Sequence, residues 1–85
     1  MSEEILLVTT HNCPKCHEAA KKLDAAGVDY KLCAAEENAE YVEKLGIREA
    51  PTIVVRPADE YDNYTKIYSG LGGVYSFLRR LKKNE

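Results

Sequence analysis

Hydrophobic and polar residues alternate along the first third of the chain in a way that predicts a strand, a helix and a second strand. The uninterrupted apolar segment 5–9 is typical of a strand buried on both faces of a sheet. Apolar residues then recur at helical spacing from Pro14 until Gly27, a typical C-terminal glycine. Val28 to Cys33 alternate with period two, which predicts an edge strand with Cys33 on its polar face. The predicted inward face of the helix comprises Cys16, Ala19, Ala20, Leu23 and Ala26.

The second half of the chain predicts a helix, a β-hairpin and a final helix. The first of these helices extends from about Ala35 to Leu45, and its predicted buried side comprises Ala39, Val42 and Leu45. Strands at 52–56 and 65–69 flank the acidic, turn-rich segment 57–64, which we expect to be a long hairpin loop. The glycines from Gly70 to Gly73 predict a flexible turn before the last helix. The inward side chains of that helix are Val74, Phe77, Leu78 and Leu81.

The predicted element order is β-α-β-α-β-β-α, which defines an α/β fold. The parallel βαβ half and the antiparallel half together give a four-stranded mixed sheet flanked by helices. A chain of 85 residues is long enough for one modest core, so we expect a single domain over residues 1–85.

Charge and cysteine content exclude several classes of function. The 14 acidic and 12 basic residues give a net charge of −2, without the clustered basic patch of a nucleic-acid-binding domain. Residues 1–20 show neither a membrane span nor an export signal, so we expect a cytoplasmic protein without membrane or nucleic-acid partners. The odd number of cysteines, three, argues against a secreted disulfide framework and favours reduced or cycling thiols.

Cys13 and Cys16 have the spacing and location of a dithiol redox site. They lie where the first strand becomes a helix, with Pro14 at the first helical position. Unpaired N–H groups and the helix dipole favour a thiolate at Cys13, and Lys15 and His11 can add positive charge. We therefore expect Cys13 to attack a disulfide and Cys16, the more buried partner, to resolve the mixed disulfide.

Three other interpretations of these cysteines remain. Cys13 to His17 matches the C-x-x-C-H haem-attachment pattern, but that use requires export and an axial ligand, and Met1 is the single methionine. Zinc or an iron–sulfur cluster could be bound through Cys13 and Cys16 with His17 and Cys33, although only one paired ligand motif exists. The cysteines could also be buried small residues, which Pro14 at a strand-to-helix junction makes a poor explanation.

Three features occur together in this chain: Cys13-Pro14-x-Cys16 after the first strand, Pro51-Thr52 at the start of the third strand, and a glycine turn before the last helix. In this combination the chain resembles the glutaredoxin family of the thioredoxin fold. The resemblance implies a thiol–disulfide oxidoreductase. It also implies that Pro51 is preceded by a cis peptide bond and that the backbone of Ala50 pairs with a bound thiol substrate. The residues expected to bind substrate or tune the dithiol are His11, Pro14, Lys15, Ala50, Pro51, Thr52, Gly72 and Gly73.

The chain departs from this family at the positions that recognise glutathione. Thr10 and His11 stand where a lysine is usual, and Val74 and Tyr75 follow the glycines where an aspartate holds the glutathione amino group. The related NrdH-type redoxins have Trp-Ser-Gly where this chain has Tyr68-Ser69-Gly70. That branch implies protein disulfide substrates, ribonucleotide reductase among them, and a thioredoxin reductase-type electron donor. Glutathione is the alternative donor, and we expect a monomer without a bound cofactor.

Overall fold

Strands and helices follow one another in the predicted order β-α-β-α-β-β-α. The structure, a computed structural model, describes residues 3–57 and 65–83. The strands are β1 (Glu3–Thr9), β2 (Lys31–Ala34), β3 (Thr52–Pro57) and β4 (Lys66–Ser69), and the helices are α1 (Pro14–Ala25), α2 (Ala39–Lys44) and α3 (Gly70–Lys83). The predicted α/β fold with a four-stranded mixed sheet is confirmed, whereas most of the predicted hairpin loop, residues 58–64, lies outside the described residues.

The sheet has the strand order β2-β1-β3-β4, with β2 at an edge as predicted. Strand β1 pairs in parallel with β2 and antiparallel with β3, and β3 pairs antiparallel with β4. In this register Val8 lies opposite Thr52, which in turn lies opposite Ser69. The end of β1, the start of β3 and the end of β4 therefore meet at one edge of the sheet. This edge is formed by the ends of strands and not by an outer strand. The loop containing Cys13, the Ala50-Pro51 peptide and the start of α3 all adjoin this edge.

Helices cover both faces of the sheet and create two hydrophobic cores. Helices α1 and α3 contribute to the larger core, where the Tyr68 and Phe77 rings meet edge to face with centroids 5.4 Å apart. Its buried residues are Leu7, Ala19, Leu23, Ile53, Val55, Val74 and Phe77. Helix α2 packs on the opposite core, formed by Leu6, Val8, Cys33, Ile47 and Val54. The predicted inward residues Leu78 and Leu81 are partly buried, whereas Ala26 is exposed because α1 has already ended.

The predicted faces of β2 are wrong. Cys33 is buried, with 7% exposure, while Leu32 is 69% exposed. The regular strand begins at Lys31, and Cys33 pairs with Val8, so both side chains face the core beneath α2. Leu32 projects to the opposite face at the edge of the sheet. The alternation of apolar and polar residues around position 30 therefore misassigned the faces, because the strand is short and lies at an edge.

Helix α2 is shorter than the predicted helix over Ala35 to Leu45. Residues 35–37 form a turn instead, in which the Asn38 side-chain amide donates to the Ala34 carbonyl oxygen at 2.9 Å. Asparagine competes well for backbone hydrogen bonds, which explains the late start of the helix. Ala39 is exposed, and Gly46, with a φ of 72°, ends the segment as predicted.

Arg56 of β3 connects α2 to the sheet. Its guanidinium donates to the Tyr41 hydroxyl at 3.0 Å and to the Glu4 carboxylate at 3.2 Å. The hydrogen bond and the positive charge of Arg56 lower the pKa of the Glu4 carboxyl. This polar connection supplements the partly buried side chains that hold the six-residue helix against the sheet.

The glycines after β4 belong to α3 rather than to a separate turn. The helix begins at Gly70, directly after Ser69, and Gly70 has a φ of 71° that side chains rarely tolerate. A Cβ atom at Gly73 would lie only 2.5 Å from the Tyr68 carbonyl carbon. The prediction of a flexible turn is therefore wrong, because glycine here permits close packing of the helix on the preceding strand.

Alanine substitutions at the adjacent positions Gly72 and Gly73 should have opposite effects on stability. Gly73→Ala should lower the free energy of unfolding by about 1–3 kcal/mol, since its methyl group would overlap the Tyr68 backbone. Gly72→Ala meets no atom within 4 Å and should raise that free energy by about 0.5–1 kcal/mol through its better helix propensity. Urea unfolding followed by circular dichroism measures both values. Equal effects of the two substitutions would contradict the described junction.

Candidate active site

The two cysteines predicted to form the redox site are joined by a disulfide at the start of α1. Cys13 is the N-cap residue, with extended backbone angles of −113° and 95°, and Pro14 occupies the first turn. The Cα atoms of Cys13 and Cys16 are 5.2 Å apart, within the normal range for a disulfide. The structure thus shows the oxidised form of the C-P-K-C motif.

Backbone donors of the first helical turn converge on Cys13. The Cys16 N–H group donates to the Cys13 Sγ at 3.1 Å, and the Cys13 carbonyl oxygen accepts from the Cys16 and His17 N–H groups at 3.1 and 3.3 Å. An N–H donor at the sulfur, together with the helix dipole, favours a thiolate at Cys13 when the disulfide is reduced. Cys13 is half-buried and Cys16 only 6% exposed, so Cys13 is the more accessible of the two.

The loop before the dithiol is held by Glu36, which the sequence predicts to lie in a helix. The His11 N–H group donates to the Glu36 carboxylate at 2.9 Å, and this hydrogen bond lowers the pKa of Glu36. Asn12 adopts a positive φ of 55°, which asparagine tolerates better than most residues. The asparagine before Cys13 is the local signal for this positive φ. Nothing local in the sequence indicates the role of Glu36.

The Ala50-Pro51 peptide is cis, as the family resemblance implies. Pro51 and Thr52 are fully buried, and the Thr52 hydroxyl donates to the Glu49 carbonyl oxygen at 2.6 Å. The pairing of Thr52 with Val8 places this peptide at the same sheet edge as the dithiol loop. Ala50 is half-buried there, next to a cavity of about 220 Å³ whose wall also includes Thr10.

The remaining predicted site residues differ in their surroundings. Lys15 and His11 are exposed around the dithiol, as is Pro14. Gly72 is exposed in the first turn of α3, whereas Gly73 packs against Tyr68.

One further side chain, which the sequence did not single out, reaches this edge of the sheet. The Glu49 carboxylate contacts Gly70 at the start of α3, in the space that a Cβ atom at Gly70 would occupy. A carboxylate therefore lies at the amino end of this helix.

Cys33 does not join the dithiol. It is the free cysteine of the structure, and burial raises the pKa of its thiol, which favours the unreactive protonated form. The four-ligand form of the zinc hypothesis required Cys33 near Cys13, Cys16 and His17. Within residues 3–57 and 65–83, no three His, Cys, Asp or Glu side chains are grouped so that they could hold a metal ion.

Solved structures of the thioredoxin fold superpose on nearly the whole chain. Thioredoxin f from spinach chloroplast matches with a TM-score of 0.73 and 21% identity, covering 98% of this chain and 75% of that one. The glutaredoxin-like NrdH-redoxin from Escherichia coli matches with a TM-score of 0.65 and 22% identity, covering 92% and 93% of the two chains. An omega glutathione transferase from Trametes versicolor matches with a TM-score of 0.67 and 27% identity. The match covers 99% of this chain but only 38% of the length of that protein.

The sequence itself identifies the family. No curated protein sequence matches significantly. Among the described helices, none is both long and apolar enough to cross a membrane. The glutaredoxin family model, however, matches residues 5–57, which include most of β1, the dithiol, α2 and the cis proline. A match over more than half of the chain, with a Cys13–Cys16 disulfide at the start of α1, shows that this chain belongs to the glutaredoxin family of thiol–disulfide oxidoreductases.

Proposed function

We propose that the protein reduces disulfides of other proteins through Cys13 and Cys16 and is itself reduced by a thioredoxin reductase-type enzyme. The observation that carries the redox assignment is the C-P-K-C disulfide at the amino end of α1, where the Cys13 sulfur accepts a backbone hydrogen bond. This arrangement stabilises the attacking thiolate at Cys13, the more exposed of the two cysteines.

The proposed reaction consists of two exchanges. The Cys13 thiolate attacks one sulfur of the target disulfide, forms a mixed disulfide and releases the other target sulfur as a thiolate. The Cys16 thiolate then attacks Cys13, which releases the reduced target and leaves the Cys13–Cys16 disulfide. Two electrons from the reductase restore both thiols. Cys16 suits the second step because it lies one helical turn away and is buried against the protein.

The cis peptide, the residues around the dithiol and the glycines of α3 have supporting roles in this proposal. The backbone of Ala50 pairs with the polypeptide that carries the target disulfide, and buried Pro51 and Thr52 hold that backbone in place. Lys15 adds a positive charge in the first turn of α1 beside the Cys13 thiolate, and His11 lies exposed in the loop before it. Gly72 and Gly73 lie in the first turn of α3, where Gly73 lets the helix pack on Tyr68 and Gly72 leaves the surface without a side chain.

The first turn of α3 supports a protein donor over glutathione. It contains no acidic residue that could hold the glutathione amino group. Of the two residues that follow the glycines, Val74 is fully buried and the Tyr75 hydroxyl donates to the Glu18 carboxylate at 2.8 Å. Neither residue supplies a carboxylate at the position after the glycines. The Glu49 carboxylate reaches the amino end of α3 from the loop before β3 instead.

The downstream target is proposed from the same resemblance. The Escherichia coli NrdH-redoxin is described as glutaredoxin-like with a thioredoxin-like activity profile. We assign a profile of that kind to this chain and name ribonucleotide reductase as the class of target to test first. Tyr68-Ser69-Gly70, which resembles the Trp-Ser-Gly of that branch, supports this choice.

Substitution of each cysteine should separate the two exchange steps. Cys13→Ser should reduce insulin disulfides no faster than the uncatalysed reaction, because it lacks the attacking thiolate. Cys16→Ser should accumulate a covalent Cys13–target adduct that dithiothreitol releases, as non-reducing electrophoresis and mass spectrometry would show. Cys33→Ala, which removes the buried third thiol, is the control and should retain activity. An adduct trapped in Cys13→Ser rather than in Cys16→Ser would reverse the assigned roles.

The electron donor can be identified by reducing the oxidised protein in two ways. Thioredoxin reductase with NADPH should convert the Cys13–Cys16 disulfide to the dithiol rapidly, whereas millimolar glutathione alone should do so slowly. Alkylation of free thiols at timed intervals, followed by mass spectrometry, measures both rates. Faster reduction by glutathione than by the reductase would overturn the proposed donor and favour a glutathione-dependent glutaredoxin.

A further inference from the structure

The carboxylate of Glu49 lies against Gly70 at the amino end of α3. The Thr52 hydroxyl donates to the Glu49 carbonyl oxygen at 2.6 Å, which fixes the turn that leads into the cis peptide. From this position the Glu49 side chain reaches Gly70, a buried residue with positive φ. Because glycine has no Cβ atom, the carboxylate can lie directly against the helix terminus.

This carboxylate supplies a charge that α3 itself lacks. The amino end of a helix carries a partial positive charge, and acidic residues commonly occupy its first turn. The first turn of α3 contains no acidic residue. Glu49 therefore brings a negative charge to a 14-residue helix from a neighbouring loop.

The loop that carries Glu49 also adjoins the dithiol loop. Thr52 pairs with Val8 of β1 and with Ser69 of β4, so the loop that carries Glu49 lies between the dithiol loop and the start of α3. A thiol that binds along the Ala50-Pro51 peptide, as the family resemblance implies, would come close to this carboxylate. The charge is solvent-exposed, so it acts at short range and is weakened by salt.

We propose that Glu49 is a specificity-determining residue that makes the Cys13–Cys16 disulfide discriminate against anionic thiols. The carboxylate occupies the helix end that would otherwise attract an anion, and it repels negatively charged reductants. This inference rests on the proposed function, because it explains how the chain disfavours small anionic thiols as electron donors.

The reaction that measures this selectivity is reduction of the protein disulfide by small thiols. A thiolate attacks Cys13, forms a mixed disulfide and releases the Cys16 thiolate. A second thiolate attacks the mixed disulfide, which yields the small-molecule disulfide and the reduced dithiol. Two thiols are oxidised for each protein disulfide reduced. The attacking species carry charges of −2 for 3-mercaptopropionate, −1 for 2-mercaptoethanol and 0 for cysteamine.

Glu49→Gln should change the rates of these three reactions in a graded way. Relative to the unmodified protein, the variant should react with 2-mercaptoethanol roughly twofold faster and with 3-mercaptopropionate roughly fourfold faster, with the cysteamine rate unchanged. The gradient should shrink at 0.5 M salt. Stopped-flow or timed alkylation measures the rates. Other charges at this edge, such as Lys15 and Glu36, are the same in both proteins, so their effects cancel in the rate ratios.

Asp29→Asn is the matched control for the loss of one negative charge. Asp29 is exposed just before β2, at the opposite edge of the sheet, so its substitution should leave the three rate ratios equal. Equal ratios for the three thiols in Glu49→Gln would overturn the inference, even if the variant were less stable. Such a protein would keep the proposed function if it still reduced insulin disulfides. A charge gradient without insulin reduction would overturn the function and retain the selectivity.

Discussion

The pairing of β1 with β3 is the constraint on which the rest of the structure depends. It brings the end of one strand beside the start of another that lies more than 40 residues later in the chain, with Val8 opposite Thr52. The dithiol follows the first of these residues and the cis peptide precedes the second. One ladder of backbone hydrogen bonds thus brings the redox disulfide and the cis peptide to the same edge of the sheet. The fully buried side chains of Leu7, Val8 and Ile53 stabilise this pairing on both faces of the sheet.

Local sequence signals were sufficient for the fold and the dithiol. The apolar segment that ends at Thr9 and the proline after Cys13 both act within a few residues, so the strand, the helix start and the N-cap position could be predicted. Predictions failed where local preferences compete with packing. Cys33 is buried because β2 pairs with β1, with Cys33 opposite Val8. The glycines after β4 lie within α3, where the Tyr68 backbone packs tightly against Gly73.

Two parts of the site were beyond the reach of local patterns. The contact of the His11 backbone with Glu36 joins residues 25 positions apart, and the contact of Glu49 with Gly70 joins residues 21 positions apart. Both involve exposed acidic side chains, which resemble any solvated glutamate in the sequence. The cis state of the Ala50-Pro51 peptide came from family resemblance, since both isomers of an X-Pro bond are accessible to a chain.

The close approach of Gly73 to Tyr68 has a consequence for molecular recognition. The amino end of α3 packs directly on the Tyr68 backbone, with no room for a Cβ atom at Gly73, and it follows β4 without an intervening loop. The surface around the dithiol is in this respect preorganised. A partner meets a helix terminus that is already in position, and little conformational entropy is lost there on association. The tight β4–α3 junction thus favours partners whose shape and charge already match this edge of the sheet.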